Sequence, residues 1–121
     1  MNPLKVHQEF LALAMEEGWA SPPGYPAGIQ EKILGGRLDE VKREGSRTRL
    51  LRFLPDTFST EPFVHEYWEE VLLIAGDLWV GERGNDAPFE PFTYACRPPG
   101  VRHGPFRSVG GCLLVEFHYF P

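Results

Sequence analysis

The chain has 121 residues, which predicts a single domain spanning residues 1–121. Hydrophobic residues make up 42% and charged residues 24%, so the chain can fill a packed core beneath an ordinary charged surface. The formal net charge of −5 argues against nucleic-acid binding, which needs clustered lysine and arginine. No stretch approaches the roughly 18 apolar residues of a membrane span, and no secretory apolar run is found near the N-terminus. We therefore expect a cytoplasmic protein without membrane or nucleic-acid partners.

The first predicted element is a short amphipathic helix over about residues 3–17. Asn2 followed by Pro3 is a typical helix start, and apolar residues follow at helical spacing up to Gly18. Proline and glycine are then dense over residues 20–28, which predicts an irregular crossing. The helix and the crossing together occupy about residues 3–27.

From residue 29 onward the sequence is typical of short β-strands. Apolar and aromatic runs recur at residues 29–34, 48–54, 71–75, 78–80, 92–97 and 112–120. Turn signals such as Gly35-Gly36 and Gly76-Asp77 separate these runs. Strands do not alternate with helical segments, so the pattern predicts an all-β sandwich or barrel and argues against a parallel α/β sheet.

The final run predicts which of its side chains face the interior. Its odd positions are uniformly apolar or aromatic, so we assign them to the core: Leu113, Val115, Phe117 and Tyr119. This assignment places Glu116 and His118 on the exterior or at a subunit interface, with a role for His118 in the pocket as the alternative.

The two cysteines, Cys96 and Cys112, are not arranged as a metal or redox motif. They lack CxxC spacing, which excludes a zinc ribbon or a thioredoxin-type site. Because both lie in apolar surroundings, we expect two free and buried thiols.

The strongest chemical signal lies in residues 63–69. If this segment is extended, alternate side chains share one face, and these are Phe63, His65, Tyr67 and Glu69. A second histidine, His103, follows a turn formed by Pro98-Pro99-Gly100. Two imidazoles and one carboxylate are enough to hold a transition metal and to leave coordination positions open.

These residues resemble the two motifs of the cupin family. His65, three residues, Glu69, six residues and Gly76 match the second half of the first cupin motif. The run from Pro98 to His103 matches the second motif, proline-x-glycine-x-x-histidine. The resemblance extends from about residue 48 to residue 119. It implies a cupin-type β-barrel, a double-stranded β-helix similar to a jelly roll, with its core at about residues 28–121.

The resemblance also shows where this chain departs from the family pattern. Phe63 stands where the first motif has its first histidine, and a phenylalanine cannot bind metal. The implied metal ligands are therefore His65, Glu69 and His103. A set of two histidines and one carboxylate favours Fe(II), and it also suits Zn²⁺, Mn²⁺ or Ni²⁺. The alternative is a barrel whose metal site has been lost.

Small single-domain cupins include dioxygenases that cleave C–C bonds in diketones or hydroxyketones. The resemblance therefore implies an Fe(II)-dependent dioxygenase for a small ketone-type substrate. Phe63, Tyr67 and Phe106 would line its pocket, and the Tyr67 hydroxyl would be a candidate donor to a metal-bound substrate. A non-catalytic metal or small-molecule binding module, such as a sensor, and a metal-independent isomerase are the alternatives. We expect a homodimer, because exposed strand edges need covering.

Overall fold

The computed structural model describes residues 5–81 and 87–121. Within these ranges the chain forms strands and no helix. The strands are β1 (Ile29–Asp39), β2 (Glu44–Phe53), β3 (Thr57–Phe58), β4 (Trp68–Gly76), β5 (Trp79–Val80), β6 (Tyr94–Arg97), β7 (Phe106–Ser108) and β8 (Cys112–Tyr119). No helix long and apolar enough to cross a membrane is found in this part of the chain.

The strands form two antiparallel sheets. One has the order β1-β2-β8-β4-β6, and the other has the order β3-β7-β5. The core is formed by apolar side chains of the five-stranded sheet and by Leu78, just before β5, and Phe106 of β7 packs against it. Its buried members are Ile29, Leu51, Phe53, Val71, Leu73, Leu78, Cys112 and Leu114. The prediction of an all-β fold is therefore confirmed.

The β1–β2 hairpin corrects the predicted turn at Gly35-Gly36. Strand β1 continues through both glycines, with a bulge just before Gly35. Gly36 has φ +80°, a backbone conformation that glycine adopts without strain because it has no side chain. The chain instead turns after Asp39, whose Oδ1 accepts hydrogen bonds from the N–H groups of Val41 (3.1 Å) and Lys42 (3.0 Å).

The predicted N-terminal helix is wrong for residues 5–17, which have no helical structure. Its predicted start at Asn2-Pro3 lies outside the described residues. The segment is held to β1 by polar contacts, including one from Gln8 Nε2 to a β1 carbonyl at 3.2 Å. Apolar side chains that would have formed one helix face are exposed, and Phe10 is completely so. A helix of this length requires packing of its apolar face for stability, and among residues 5–81 and 87–121 these side chains are left unburied.

Strand β8 has the opposite orientation from the one predicted. Its even positions are buried and its odd positions are half-buried or, at Phe117, exposed. Glu116 and His118 therefore point into the interior, where buried polar partners compensate for their loss of water. Both cysteines are free, as predicted, but only Cys112 is buried, because Cys96 faces solvent from edge strand β6.

The motif glycine Gly76 provides a test of how closely β4 approaches the loop before β8. Gly76 and Gly100 have nearly the same φ, +87° and +85°. A Cβ on Gly76 would lie 2.1 Å from the backbone oxygen of Gly111, whereas one on Gly100 would meet nothing within 4 Å. We expect Gly76→Ala to lower the free energy of unfolding by at least ~3 kcal/mol, and Gly100→Ala by ~1–2 kcal/mol from φ strain alone. Urea denaturation measures both, and equal losses would contradict the close approach.

Candidate metal centre

A row of polar residues crosses the interior at one end of the five-stranded sheet. Arg97 on β6 lies opposite Glu69 on β4, Glu69 lies opposite His118 on β8, and His118 lies opposite Arg47 on β2. These side chains share one face because directly paired residues in antiparallel strands point the same way. The cross-strand register thus brings a carboxylate, an imidazole and two guanidinium groups together.

Two loops bring further histidines to this row. Phe63 and His103 pair as an isolated bridge, with N···O distances of 2.7 and 2.9 Å. The N–H of Gly100 donates to the His65 carbonyl at 2.7 Å. Three backbone hydrogen bonds therefore join the segment before β4 to Gly100 of the Pro-Pro-Gly turn and to His103 just after it. This contact places His65 and His103 beside Glu69, as the sequence pattern implied.

The three candidate ligands have their donor atoms close together. Glu69 Oε2 lies 3.6 Å from His65 Nε2, and Glu69 Oε1 lies 3.4 Å from His103 Nε2. The three donor atoms all lie within 4.8 Å of one another. His65 Nε2 is buried and has no hydrogen-bond partner, which is unusual for a buried polar atom. This orphaned nitrogen, with a second imidazole and a carboxylate, fits a transition-metal ion.

A second group with suitable donor atoms consists of Glu69, Glu116 and His118. Arg47 donates to His118 Nδ1, at 3.1 Å from Nε and 2.7 Å from Nη2. An accepting Nδ1 requires the neutral ring to carry its proton on Nε2, and this atom lies 2.9 Å from Glu69 Oε2. His118 is therefore a hydrogen-bond donor to Glu69. Glu116 is engaged by Arg49 at 2.7 and 2.8 Å, so the group with His65 and His103 is the better metal site.

Burial keeps both candidate histidine ligands in the form that binds metal. It lowers the pKa of His65 to about 4, and the nearby Glu69 opposes the shift only in part. Burial also lowers the pKa of His103. Metals bind the neutral imidazole, so no proton has to be displaced at neutral pH. Burial raises the pKa of Tyr67, whose ring stacks on His65 at a centroid distance of 4.7 Å.

A small cavity of about 40 Å³ adjoins these residues. Phe63, Phe106 and Tyr25 provide aromatic walls, and Glu69, His103 and Arg97 are among its polar lining. Neither His65 nor Tyr67 is among the lining residues, and Tyr67 packs on the ring of His65. Tyr25 and Arg97 belong to no motif in the sequence and were not predicted as part of this site.

Comparison with known proteins identifies the fold. No protein-family model and no curated protein matches the chain. Among solved structures, a RmlC-like cupin from Shewanella frigidimarina NCIMB 400 matches with a TM-score of 0.66 and 16% identity, covering 94% of this chain and 93% of that one. An acetylacetone dioxygenase from Acinetobacter johnsonii matches with a TM-score of 0.66 and 16% identity, covering 94% and 75%. KdgF from Halomonas sp. matches with a TM-score of 0.63 and 18% identity, covering 90% and 93%.

These matches and the strand topology define an all-β protein of the cupin type. The chain has the cupin fold, as its motifs implied. Its interior carries a donor set, His65, Glu69 and His103, that is competent to hold a divalent metal.

The depressed pKa of His65 predicts a pH-dependent stability of the metal-free protein. The unfolded chain takes up a proton at this residue near pH 6.5, whereas the folded chain does so only near pH 4. Lowering the pH between these values favours unfolding, and this residue should cost ~2 kcal/mol between pH 7 and pH 5. We expect His65→Gln to remove that part of the loss in urea denaturation. His7→Gln, at a side chain that is 84% exposed, is the control; an unchanged pH dependence in His65→Gln would refute the assignment.

The position of Phe63 predicts that a fourth ligand can be restored. Its ring centroid lies 6.0 Å from that of His103 and 6.4 Å from that of His65, at the rim of the donor set. We expect Phe63→His to tighten divalent metal binding by about tenfold or more in calorimetric titrations. Phe63→Leu is the control, because it removes the ring without adding a donor. If Phe63→His binds metal no more tightly than this control, the motif register is incorrect.

Proposed function

We propose that this protein is a metal-dependent enzyme, an Fe(II) dioxygenase acting on a small ketone-type substrate. The observation that carries the proposal is the orphaned Nε2 of buried His65, which faces the same carboxylate as His103. When bound, the metal would supply Lewis acidity and one-electron chemistry with dioxygen. Two histidines and one carboxylate leave coordination positions for both substrate and dioxygen. The name of the structural neighbour from Acinetobacter johnsonii, an acetylacetone dioxygenase, agrees with a ketone substrate.

The surrounding residues would hold the ligands and exclude water. Glu69 accepts from Arg97 Nη1 at 3.0 Å and from His118 at 2.9 Å, which fixes its carboxylate plane. Phe63 and Phe106 would form apolar walls against the substrate. Tyr67 would orient His65 by stacking on its ring, and its hydroxyl, outside the cavity lining, is not placed to donate to a ligand there.

A second candidate function is a non-catalytic metal-binding module. The observation that favours it is the size of the cavity, because about 40 Å³ accommodates an ion with few waters more readily than it does an organic substrate. In that case the same three ligands would bind metal, and the protein would turn over no ketone.

One experiment separates the two candidates. Protein purified without chelator or added metal is analysed for bound metal, and its oxygen uptake is measured with a panel of β-diketones. We expect stoichiometric iron and oxygen uptake, with Glu69→Gln lowering iron content and turnover by more than about tenfold. Glu70→Gln is the matched control, because Glu70 faces away from the site and accepts from the Tyr94 hydroxyl.

The possible outcomes have different meanings. Bound metal without turnover on any ketone would favour the binding module. Wild-type protein that carries no metal and rejects added iron, zinc, manganese and nickel would contradict both candidates.

A further inference from the structure

The interior around the candidate metal centre is already electrically balanced. Among the described residues, three arginines and three glutamates are joined by hydrogen bonds in its polar network. Arg49 bonds to Glu116 at 2.7 Å and to Glu31 at 2.8 Å. Arg97 bonds to Glu69, and Arg47 bonds to the neutral His118. The guanidinium and carboxylate charges cancel, and the neutral histidines add none.

This balance has a consequence for any metal ion that binds there. Glu69 is the only carboxylate of the proposed ligand set, and Arg97 Nη1 already lies 3.0 Å from its Oε1. Glu69 is 3% exposed, so little solvent screens its surroundings. A divalent ion would add two positive charges beside a guanidinium group, without an uncompensated protein carboxylate to neutralise them. Uncompensated charge in a low-dielectric interior is strongly unfavourable.

Arg97 also contributes to the cavity itself. It is the only lysine or arginine among the described residues that line the cavity, and its side chain is 21% exposed. The guanidinium carbon lies 5.9 Å from the ring centroid of Phe106, on the aromatic wall. The other charged lining residues are Glu69 and Glu116, and Glu116 is already paired with Arg49. A ligand in the cavity would therefore find Arg97 beside the metal position.

We propose that the metal centre takes a small anion as its ligand, a carboxylate or enolate, and that Arg97 imposes this requirement. The inference rests on the proposed metal-binding function and specifies its substrate class. Glu69 alone does not neutralise the metal, because its negative charge is already paired with Arg97. The anion supplies the missing negative charge, so the metal and the anion bind together. The positive charge of Arg97 also attracts the anion directly.

Replacing Arg97 should have opposite effects on two quantities, the affinity for metal alone and the gain in affinity from an added anion. Removing the charge of Arg97 leaves Glu69 free to neutralise the metal, so Arg97→Gln should bind metal alone more tightly than the wild type does. A residue that only oriented Glu69 would weaken metal binding when lost. The same substitution should reduce the benefit of an added anion.

The test uses Mn²⁺ as the metal and acetate as the anion, with free Mn²⁺ followed by electron paramagnetic resonance. Sodium perchlorate at equal ionic strength replaces acetate as the non-coordinating reference. We expect acetate to tighten Mn²⁺ binding to the wild type by about tenfold. Arg97→Gln should bind Mn²⁺ about three- to tenfold more tightly without acetate, and acetate should then change its affinity by less than about threefold.

Two variants serve as controls. Arg102→Gln removes the same charge from an exposed residue next to His103, and it should behave like the wild type within about twofold because solvent screens that charge. Arg97→Lys keeps the charge and should keep the dependence on acetate. Circular dichroism and urea denaturation establish that each variant is folded.

Each outcome decides a specific claim. Equal affinity of the wild type with and without acetate would overturn the inference but leave the proposed metal site intact. Weaker Mn²⁺ binding in both Arg97→Gln and Arg97→Lys would also overturn it, because Arg97 would then only hold Glu69 in place. Absence of Mn²⁺ binding under every condition would instead contradict the proposed function.

Discussion

The site depends on the buried carboxylate of Glu69, because both of its oxygens accept hydrogen bonds and also face the candidate histidine ligands. Glu69 is 3% exposed, and each of its oxygens has one hydrogen-bond donor, Arg97 at Oε1 and His118 at Oε2. A carboxylate offers about two acceptor directions per oxygen, so one remains on each side. Those sides face His103 and His65. A buried carboxylate without such partners would be costly, and with them it is both stable and aimed at the metal position.

Strand register makes this arrangement possible. The row Arg97, Glu69, His118 and Arg47 crosses four strands, and Arg49 lies opposite Glu116 in the next inward-facing row. A shift of one residue in β8 would turn Glu116 and His118 to the outside and leave buried arginines without partners. The apolar core occupies the other end of the same strands. The polar network therefore favours one strand register. The apolar side chains alone would discriminate less strongly against a shifted register.

The sequence predicted the local features of the site and missed its long-range ones. His65, Glu69 and His103 were identified because their spacing to Gly76 and to the Pro-Pro-Gly turn is a motif. His118 was assigned to the exterior because apolar odd positions in β8 suggested the core. Its partners come from β2 and β4, and strand pairing cannot be read from one sequence.

A usable signal for the missed residues was nevertheless present. Arg47 and Arg49 on one strand, and Glu116 and His118 on another, each repeat at a spacing of two, as residues on one face of a strand do. One pair consists of hydrogen-bond donors and the other contains acceptors, so the two pairs can bond to each other. Such pairs indicate a shared buried face. The helix prediction failed for the opposite reason, because local periodicity was present but the described apolar side chains of that segment are not buried against the sheets.

Two side chains limit the protein ligands to three. Phe63 occupies the position of a further motif histidine, and its ring stacks on Tyr25 at 4.6 Å. Tyr25 in turn accepts from Arg49 at 3.3 Å, so the aromatic replacement is joined to the charged network. His118 lies close enough to be a substitute ligand, but Arg47 fixes its proton on the nitrogen that faces Glu69. With both routes to a fourth ligand closed, a metal held by His65, Glu69 and His103 would keep open coordination positions, which is the arrangement that open-site metal chemistry requires.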